Sequence, residues 1–245
     1  MNPAIHSRRR IDWATPGTIK LTSDGNSITA GGQDGGASGD GIIGQTFAGS
    51  TPIAPFNLQT YANFALSGQT TAQMIAACDD VSGSYDPNKF NVLFAQELTN
   101  TAGNDFSAAD TVQQFLDYLA LVQSIKPWQK VIVATAPPAW RGDDFSQAAN
   151  TEYNTRLEQA NAILRVRYRE RADVLFETRQ EGSPYAQSRY PDYLRATFFS
   201  TTVVNGISNT ATWTNEANQV RIHYTAAGIA LLKPLFADCL LRMPL

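Results

Sequence analysis

The chain has 245 residues, of which 43% are hydrophobic and 17% charged, and its net charge is −3 with a pI of about 5.4. This composition supports a sizeable core and excludes a globally disordered chain, and the small negative charge excludes the basic footprint typical of nucleic-acid or anionic-membrane binding. No segment approaches the roughly eighteen apolar residues of a membrane span, and residues 1–13 lack the apolar core of a secretory signal.

Short apolar segments alternate with longer helical patterns, which is typical of βα units around a parallel sheet. Strands are predicted at 18–22, 58–62, 91–95, 130–135 and 173–176. Helices are predicted near 70–78, 108–125, 146–171 and 225–240. The order of these elements predicts an α/β fold of three layers, α/β/α, with a parallel sheet of about five strands.

One domain is predicted over residues 1–245, because no linker or internal repeat divides the chain. Residues 1–14 are predicted as an N-terminal arm whose basic cluster, residues 8–10, is a solvated tail. The glycine-rich segment 31–44 is predicted as a mobile loop. Residues 180–219 form a long loop without sustained periodicity, and a segment of this kind is usually either functional or disordered.

Histidine and cysteine are scarce, with two of each. Cys78 and Cys239 are too few for a disulfide scaffold or a cysteine-built zinc site, and the sequence leaves open whether they pair. His6 lies in the predicted arm, and no metal-binding histidine spacing is present, so no metal site is predicted. His223 is therefore the candidate imidazole base, with a structural histidine at a helix start as the alternative.

Ser27 is the candidate nucleophile. Gly25 allows a tight turn after the first predicted strand, which would place the Ser27 hydroxyl at the carboxyl edge of the sheet. Open α/β folds build their sites at this edge. On its own, Ser27 also fits the interpretation of a plain N-cap serine.

Four short motifs resemble, in family order and over almost the whole chain, the conserved blocks of the SGNH (GDSL-type) hydrolases. They are Gly25-Asn26-Ser27-Ile28-Thr29 (resembling G-D-S-I/L-T), the segment 63–71 around Gly68 (the second block), Glu97-Leu98-Thr99-Asn100 (resembling G-x-N-D) and His223 followed by Thr225-Ala226-Ala227-Gly228 (resembling D-x-x-H). The resemblance implies a flavodoxin-like α/β/α fold and hydrolysis of a carboxylic ester through an acyl-serine intermediate, without a cofactor.

The resemblance also implies the role of each site residue. Ser27 would be the nucleophile and His223 its base. The backbone N–H groups of Ser27 and Gly68, together with the side-chain amide of Asn100, would form the oxyanion hole. The structural alternatives are a turn glycine at position 68 and a capping asparagine at position 100.

The sequence departs from the family pattern at three places. Asn26 replaces the usual aspartate, and leucine and threonine replace the glycine and aspartate on either side of Asn100. Val220 occupies the position of the triad acid, and valine cannot orient or stabilise an imidazolium. Two arrangements are open: a Ser–His dyad held by a backbone carbonyl, or a carboxylate such as Glu216 that reaches His223 from the preceding loop.

Two tryptophans are predicted to contact the substrate, Trp140 after the fourth strand and Trp213 in the 180–219 loop, with packing of that loop as the alternative. The resemblance and these aromatic residues together imply a small-molecule or glycan ester as the substrate, with a small acyl group such as acetyl on a carbohydrate. The alternatives are a lipid-ester or thioester hydrolase, or a non-catalytic glycan-binding or structural module on the same fold, which Val220 keeps open. A soluble chain is predicted, and its compartment (cytoplasmic, virion-associated or secreted) and oligomeric state are left open.

Overall fold

The computed structural model describes residues 11–31, 41–48, 52–137, 140–141, 147–176, 220–221, 226–243 and 245. Its strands are β1 (Ile19–Gly25), β2 (Thr60–Asn63), β3 (Phe90–Gln96), β4 (Lys130–Ala134), β5 (Trp140–Arg141), β6 (Val174–Phe176) and β7 (Val220–Arg221). Its helices are α1 (Ser27–Ala30), α2 (Ile42–Phe47), α3 (Thr71–Ala76), α4 (Cys78–Gly83), α5 (Thr99–Gly103), α6 (Ala108–Ile125), α7 (Gln147–Arg167) and α8 (Ala226–Arg242). Short 3-10 turns lie at Phe56–Leu58 and Tyr168–Glu170.

The main sheet has five parallel strands in the order β2-β1-β3-β4-β6. This confirms the prediction of a parallel sheet of about five strands. The chain passes from β1 to β2 on one side and then crosses to β3 on the other, so the strand order reverses between β1 and β3. In open α/β sheets, ligands bind at the carboxyl ends of the strands beside such a reversal.

Two apolar cores cover the two faces of the sheet, which confirms the three-layer architecture. On one face, Leu93 and Val131 pack in a cluster with residues of α3, α4, α6 and α7. On the other face, Val92 and Ile132 pack with residues of α2 and α8. Because the central strands are buried on both faces, they read as continuous apolar segments and not as alternating ones.

Helix α6 places a tyrosine against the first strand. The side chain of Ser107 caps its start by accepting a hydrogen bond from the backbone N–H of Asp110 (3.1 Å). Its apolar stripe includes the fully buried Phe115 and Leu119. The same packing buries Tyr118, whose hydroxyl lies at the end of β1 in the site described below.

The end of the predicted N-terminal arm is partly built into the core, since Ile11 and Trp13 are buried while Asp12 and Ala14 are exposed. Trp13 is buried, donates its indole N–H to the backbone carbonyl of Leu240 (3.2 Å) and makes edge contacts with Phe47 and Phe56. Ile11 is buried beside it. A buried tryptophan removes a large apolar area from water and needs a partner for its indole N–H. Trp13 meets both conditions against α8, so this segment packs on that helix and does not extend into solvent.

The prediction of a loop over 31–44 is wrong at its end, where α2 begins at Ile42. Ile42 and Ile43 are buried in the core. Gly41 is required by close packing there, because a Cβ atom would lie 2.8 Å from the backbone carbonyl oxygen of Ile28. Glycine in this segment therefore allows α2 to approach α1. Residues 32–40 of the predicted loop lie outside the described residues.

Cys78 and Cys239 are free thiols. Cys78 lies in the core on the α6 face of the sheet, whereas Cys239 packs against the core on the α8 face. The sheet therefore separates the two thiols. Among the described helices, none combines the length and the hydropathy needed to cross a membrane.

Candidate active site

Ser27 begins α1 directly after the carboxyl end of β1. Asn26 is extended, and its side-chain oxygen accepts the N–H of Ile28 (2.9 Å), so Asn26 and not Ser27 is the N-cap. Ser27 is the first helical residue and is 7% exposed. The plain N-cap interpretation of Ser27 is therefore wrong, since its neighbour already caps the helix.

Gly25 brings the turn before Ser27 against the end of β3. Its φ angle is +150°, and a Cβ atom at this position would run into the backbone carbonyl of Gln96 and lie 2.9 Å from the Thr29 hydroxyl oxygen. A side chain here would therefore push β1 and β3 apart. The glycine of the first motif is needed for close approach as well as for the turn.

Gly68 lies in the segment between β2 and α3, with a left-handed φ of +76°. This segment is tied to the first motif, because the backbone N–H of Leu66 donates to the carbonyl of Gly25 (3.0 Å). The side-chain oxygen of the buried Gln69 also accepts the Leu66 N–H (3.2 Å). The structure thus brings the segment of Gly68 to the end of β1.

Asn100 lies in α5, after the carboxyl end of β3, and its side-chain amide donates to the backbone carbonyl of Gln69 (2.9 Å). This bond joins Asn100 to the segment that carries Gly68. A side-chain amide has two N–H groups, and holding one of them fixes the plane of the amide and the direction of the other. The structure therefore brings together the segments of Ser27, Gly68 and Asn100 at one edge of the sheet.

The remaining predicted site residues are only partly described. His223, Glu216 and Trp213 lie outside the described residues. The backbones of β5 and β7 form an antiparallel pair, in which Trp140 lies opposite Arg221 and Arg141 opposite Val220. The chain that enters the His223 motif is thus paired with the segment that follows β4. No group of acidic, cysteine or histidine side chains suited to a metal ion occurs among the described residues.

Asp24 is a buried carboxylate that the sequence analysis did not identify. It accepts hydrogen bonds from the Tyr118 hydroxyl (2.6 Å) and from the backbone N–H of Gly25 (2.8 Å). Burial raises its pKa to about 6, against the lowering effect of these two bonds. It lines a crevice of about 480 Å³ together with Leu66 and Gln69. In the sequence, the one sign of this buried carboxylate is an acidic residue at the end of a strand that is otherwise expected to be buried.

The stability of the protein is expected to rise as Asp24 takes up a proton. Its folded pKa lies above its ordinary value of 3.8, so the folded state binds the proton more tightly. Between pH 7.5 and pH 4.5 this group should add about 2 kcal/mol to the free energy of unfolding. Asp24→Asn should remove that part of the pH dependence, as measured by urea unfolding at the two pH values.

The exposed Asn104 supplies the control for this measurement, because Asn104→Ala changes a surface side chain that carries no titratable group. The difference in the free energy of unfolding between the two pH values should stay at its parental size in this variant. If Asp24→Asn also keeps the parental difference, the raised pKa of Asp24 is contradicted.

No protein-family model matches the sequence, and no curated protein matches it. Solved structures do match. The lipase/acylhydrolase from Enterococcus faecalis is 18% identical with a TM-score of 0.56, and the match covers 89% of this chain and 93% of that one. Phospholipase A1 from Streptomyces albidoflavus NA297 is 15% identical with a TM-score of 0.55, covering 90% and 98%. A GDSL-like lipase from Bacteroides thetaiotaomicron VPI-5482 is 14% identical, again with a TM-score of 0.55, covering 90% and 87%. The chain has the fold of the GDSL-type lipolytic hydrolases, as its four motifs predicted.

Proposed function

We propose that the protein is a serine ester hydrolase in which Ser27 forms an acyl-enzyme. One observation carries the proposal: Ser27 and Asn100 follow the neighbouring strands β1 and β3 at the reversal of strand order, and Asn100 is bonded to the segment of Gly68. Acyl transfer needs a nucleophile and oxyanion donors at one place, and this edge supplies residue types suited to both.

The reaction follows from these groups. The Ser27 hydroxyl oxygen attacks the ester carbonyl carbon while His223 accepts its proton. The negative charge on the former carbonyl oxygen is stabilised by the N–H groups of Ser27, Gly68 and Asn100. The bond to the alcohol oxygen then breaks, and His223 returns the proton to the departing alcohol. Water attacks the acyl-serine in the same way, which releases the carboxylic acid and restores Ser27.

A small acyl group, such as acetyl on a carbohydrate, is the proposed substrate. The aromatic residues of the 180–219 loop, Trp213 among them, support this choice, because aromatic faces suit sugar rings. Trp140 is proposed as a further contact, since its strand pairs with the segment that leads to His223. The imidazole would be oriented by a backbone carbonyl or by Glu216.

A lipid ester is the second candidate substrate, favoured by two observations. The similar solved structures include a GDSL-like lipase and a phospholipase A1. In this chain, the apolar side chain of Leu66 is 60% exposed, two residues before Gly68. An exposed leucine in this segment could contact an acyl chain, whereas an acetyl group is too short to need it.

The test is the initial rate of hydrolysis of p-nitrophenyl acetate and p-nitrophenyl octanoate by the parent protein and by Leu66→Ser. For the proposed small-acyl enzyme, kcat/KM for the acetate should exceed that for the octanoate by roughly 10-fold, and Leu66→Ser should change neither. A preference for octanoate that Leu66→Ser reduces would establish the lipid-ester function instead. Heat-denatured protein serves as the blank for uncatalysed hydrolysis.

Labelling separates an enzyme from a non-catalytic module. An aryl phosphonofluoridate should attach to Ser27, which mass spectrometry of the peptide containing residues 25–29 detects. If neither ester is hydrolysed and Ser27 is not labelled, the enzyme proposal is contradicted, and binding of the protein to glycans becomes the next measurement.

A further inference from the structure

Glu97 is a fully buried carboxylate at the carboxyl end of β3 that the proposed reaction does not use. It accepts hydrogen bonds from the Asn26 side-chain amide (2.7 Å), the Thr101 backbone N–H (2.7 Å), the Thr101 hydroxyl (2.9 Å) and the Asn100 backbone N–H (3.3 Å). A buried carboxylate is costly unless it is well hydrogen-bonded, and both oxygens of Glu97 have donors.

The bond to Asn26 controls the turn that carries the nucleophile. Because the Asn26 amide nitrogen donates to Glu97, its oxygen is directed to the Ile28 N–H, where it caps α1. Ser27 lies between these two anchored residues. A change in the Glu97 carboxylate would therefore be transmitted to the backbone of Ser27 through one side chain.

The bonds to α5 control the other side of the site. Glu97 accepts hydrogen bonds from the backbone N–H groups of Asn100 and Thr101. Asn100 is the residue whose side-chain amide is proposed to bind the oxyanion, and Thr101 is its neighbour. The Thr101 hydroxyl oxygen also lies 3.1 Å from the hydroxyl oxygen of Thr71 and accepts a hydrogen bond from the Thr71 backbone N–H (3.0 Å). Thr71 begins α3, directly after the segment of Gly68. One carboxylate thus connects the three segments of the proposed site.

The pair Asn26–Glu97 also accounts for a departure in the sequence. The first motif has an amide where the family pattern has a carboxylate, and the carboxylate of this chain lies opposite it, 71 residues along the chain. Amide and carboxylate are complementary as donor and acceptor, whereas two carboxylates in this buried contact would repel each other.

We propose that Glu97 is a positioning residue that fixes the Ser27 turn relative to the Asn100 amide through its hydrogen bonds to Asn26 and to α5. This inference rests on the proposed function. A donor network of this kind holds the nucleophile and the oxyanion donors at one separation, and small displacements of reacting groups lower rates strongly.

The test compares Glu97→Gln, Asn26→Asp and the double exchange. Glu97→Gln places an N–H group where a carboxylate oxygen accepts from Asn26 or from Thr101, so that two donors face each other. We therefore expect kcat to fall roughly 10- to 100-fold, with KM within about 2-fold of the parent. Asn26→Asp creates a carboxylate pair, so its activity relative to the parent should rise as the pH falls, when the pair takes up a proton. The double variant restores an amide–carboxylate pair with reversed polarity at position 26 and gives up only the longer bond from the Asn100 backbone N–H (3.3 Å), so kcat should recover to within about 5-fold of the parent.

The surface variant Glu170→Gln is the matched carboxyl-to-amide control, and its kcat should be parental. A folded Glu97→Gln with parental kcat overturns the proposal, as does a double variant that regains the unfolding midpoint without regaining kcat. If Glu97→Gln does not fold, the pH profile of Asn26→Asp and the recovery in the double variant decide. Parental activity that survives Ser27→Ala contradicts the proposed function itself, whereas loss in Ser27→Ala with unaffected Glu97 variants contradicts only this inference.

Discussion

Replacing Ser27 with alanine is expected to lower kcat for p-nitrophenyl acetate by roughly 10⁴-fold or more. Alanine has no hydroxyl to attack the ester, so the acyl-enzyme route is closed. The fold should be retained, because Ser27 is a helical residue and alanine is the strongest helix former. Asn26 still caps the helix in the variant, since its bond to the Ile28 N–H does not involve the side chain of Ser27.

The control is Ser124→Ala. Ser124 is likewise a helical serine, and it lies in the last turn of α6, which leads to the amino end of β4 at the opposite edge of the sheet. Its removal should leave kcat and KM unchanged. Initial rates with both proteins, alongside circular dichroism spectra, check the prediction. Equal activity of Ser27→Ala and the parent would place the nucleophile elsewhere.

The fold was predictable from the sequence because the apolar signal is strong where the sheet is buried. β3 and β4 are apolar on both faces, and α6 has the predicted bounds, Ala108–Ile125. The order of strands with intervening helices then leaves few topologies for a parallel sheet. The reversal between β1 and β3 places the first and third motifs side by side.

The sequence mispredicts two segments because their structure depends on packing against distant parts of the chain. The glycines of 31–44 suggested a mobile loop, yet Gly41 permits a close helix contact and Ile42 is buried. The polar residues around Trp13 predict a solvated arm, whereas Trp13 is buried against a partner that lies more than two hundred residues away along the chain. Contacts over such separations leave no local periodicity in the sequence.

The candidate site was predictable only in part, because short motifs identify residues but do not show the contacts between distant ones. The motifs named Ser27, Gly68 and Asn100, and the structure brings their segments to one edge. The bonds of Asp24 and Glu97 join residues far apart in sequence, so only the fold shows them. The sequence shows only that acidic residues stand beside segments predicted to be buried, and such residues are rarely buried without hydrogen-bond partners.

Replacing Asn100 with alanine is expected to lower kcat by roughly 10²- to 10³-fold with little change in KM. Its side-chain amide is proposed to bind the oxygen that becomes negative only during the reaction, so its loss affects the transition state more than substrate binding. Asn104→Ala is the matched control, since Asn104 is an exposed asparagine at the other end of the same helix, and its kcat should be parental.

Asn100→Asp distinguishes an oxyanion donor from a structural cap. Aspartate has the size of asparagine and is favourable near the start of a helix, so a residue that only supports α5 should tolerate it. Aspartate also loses the bond from the Asn100 amide to the backbone carbonyl of Gln69, and the unfolding midpoint reports that structural loss separately from kcat. A carboxylate offers no N–H to the oxyanion and repels it, so we expect kcat to fall at least as far as in Asn100→Ala. Parental kcat in Asn100→Asp, measured with the unfolding midpoint, would show that Asn100 acts through the helix and that the oxyanion is bound by other groups.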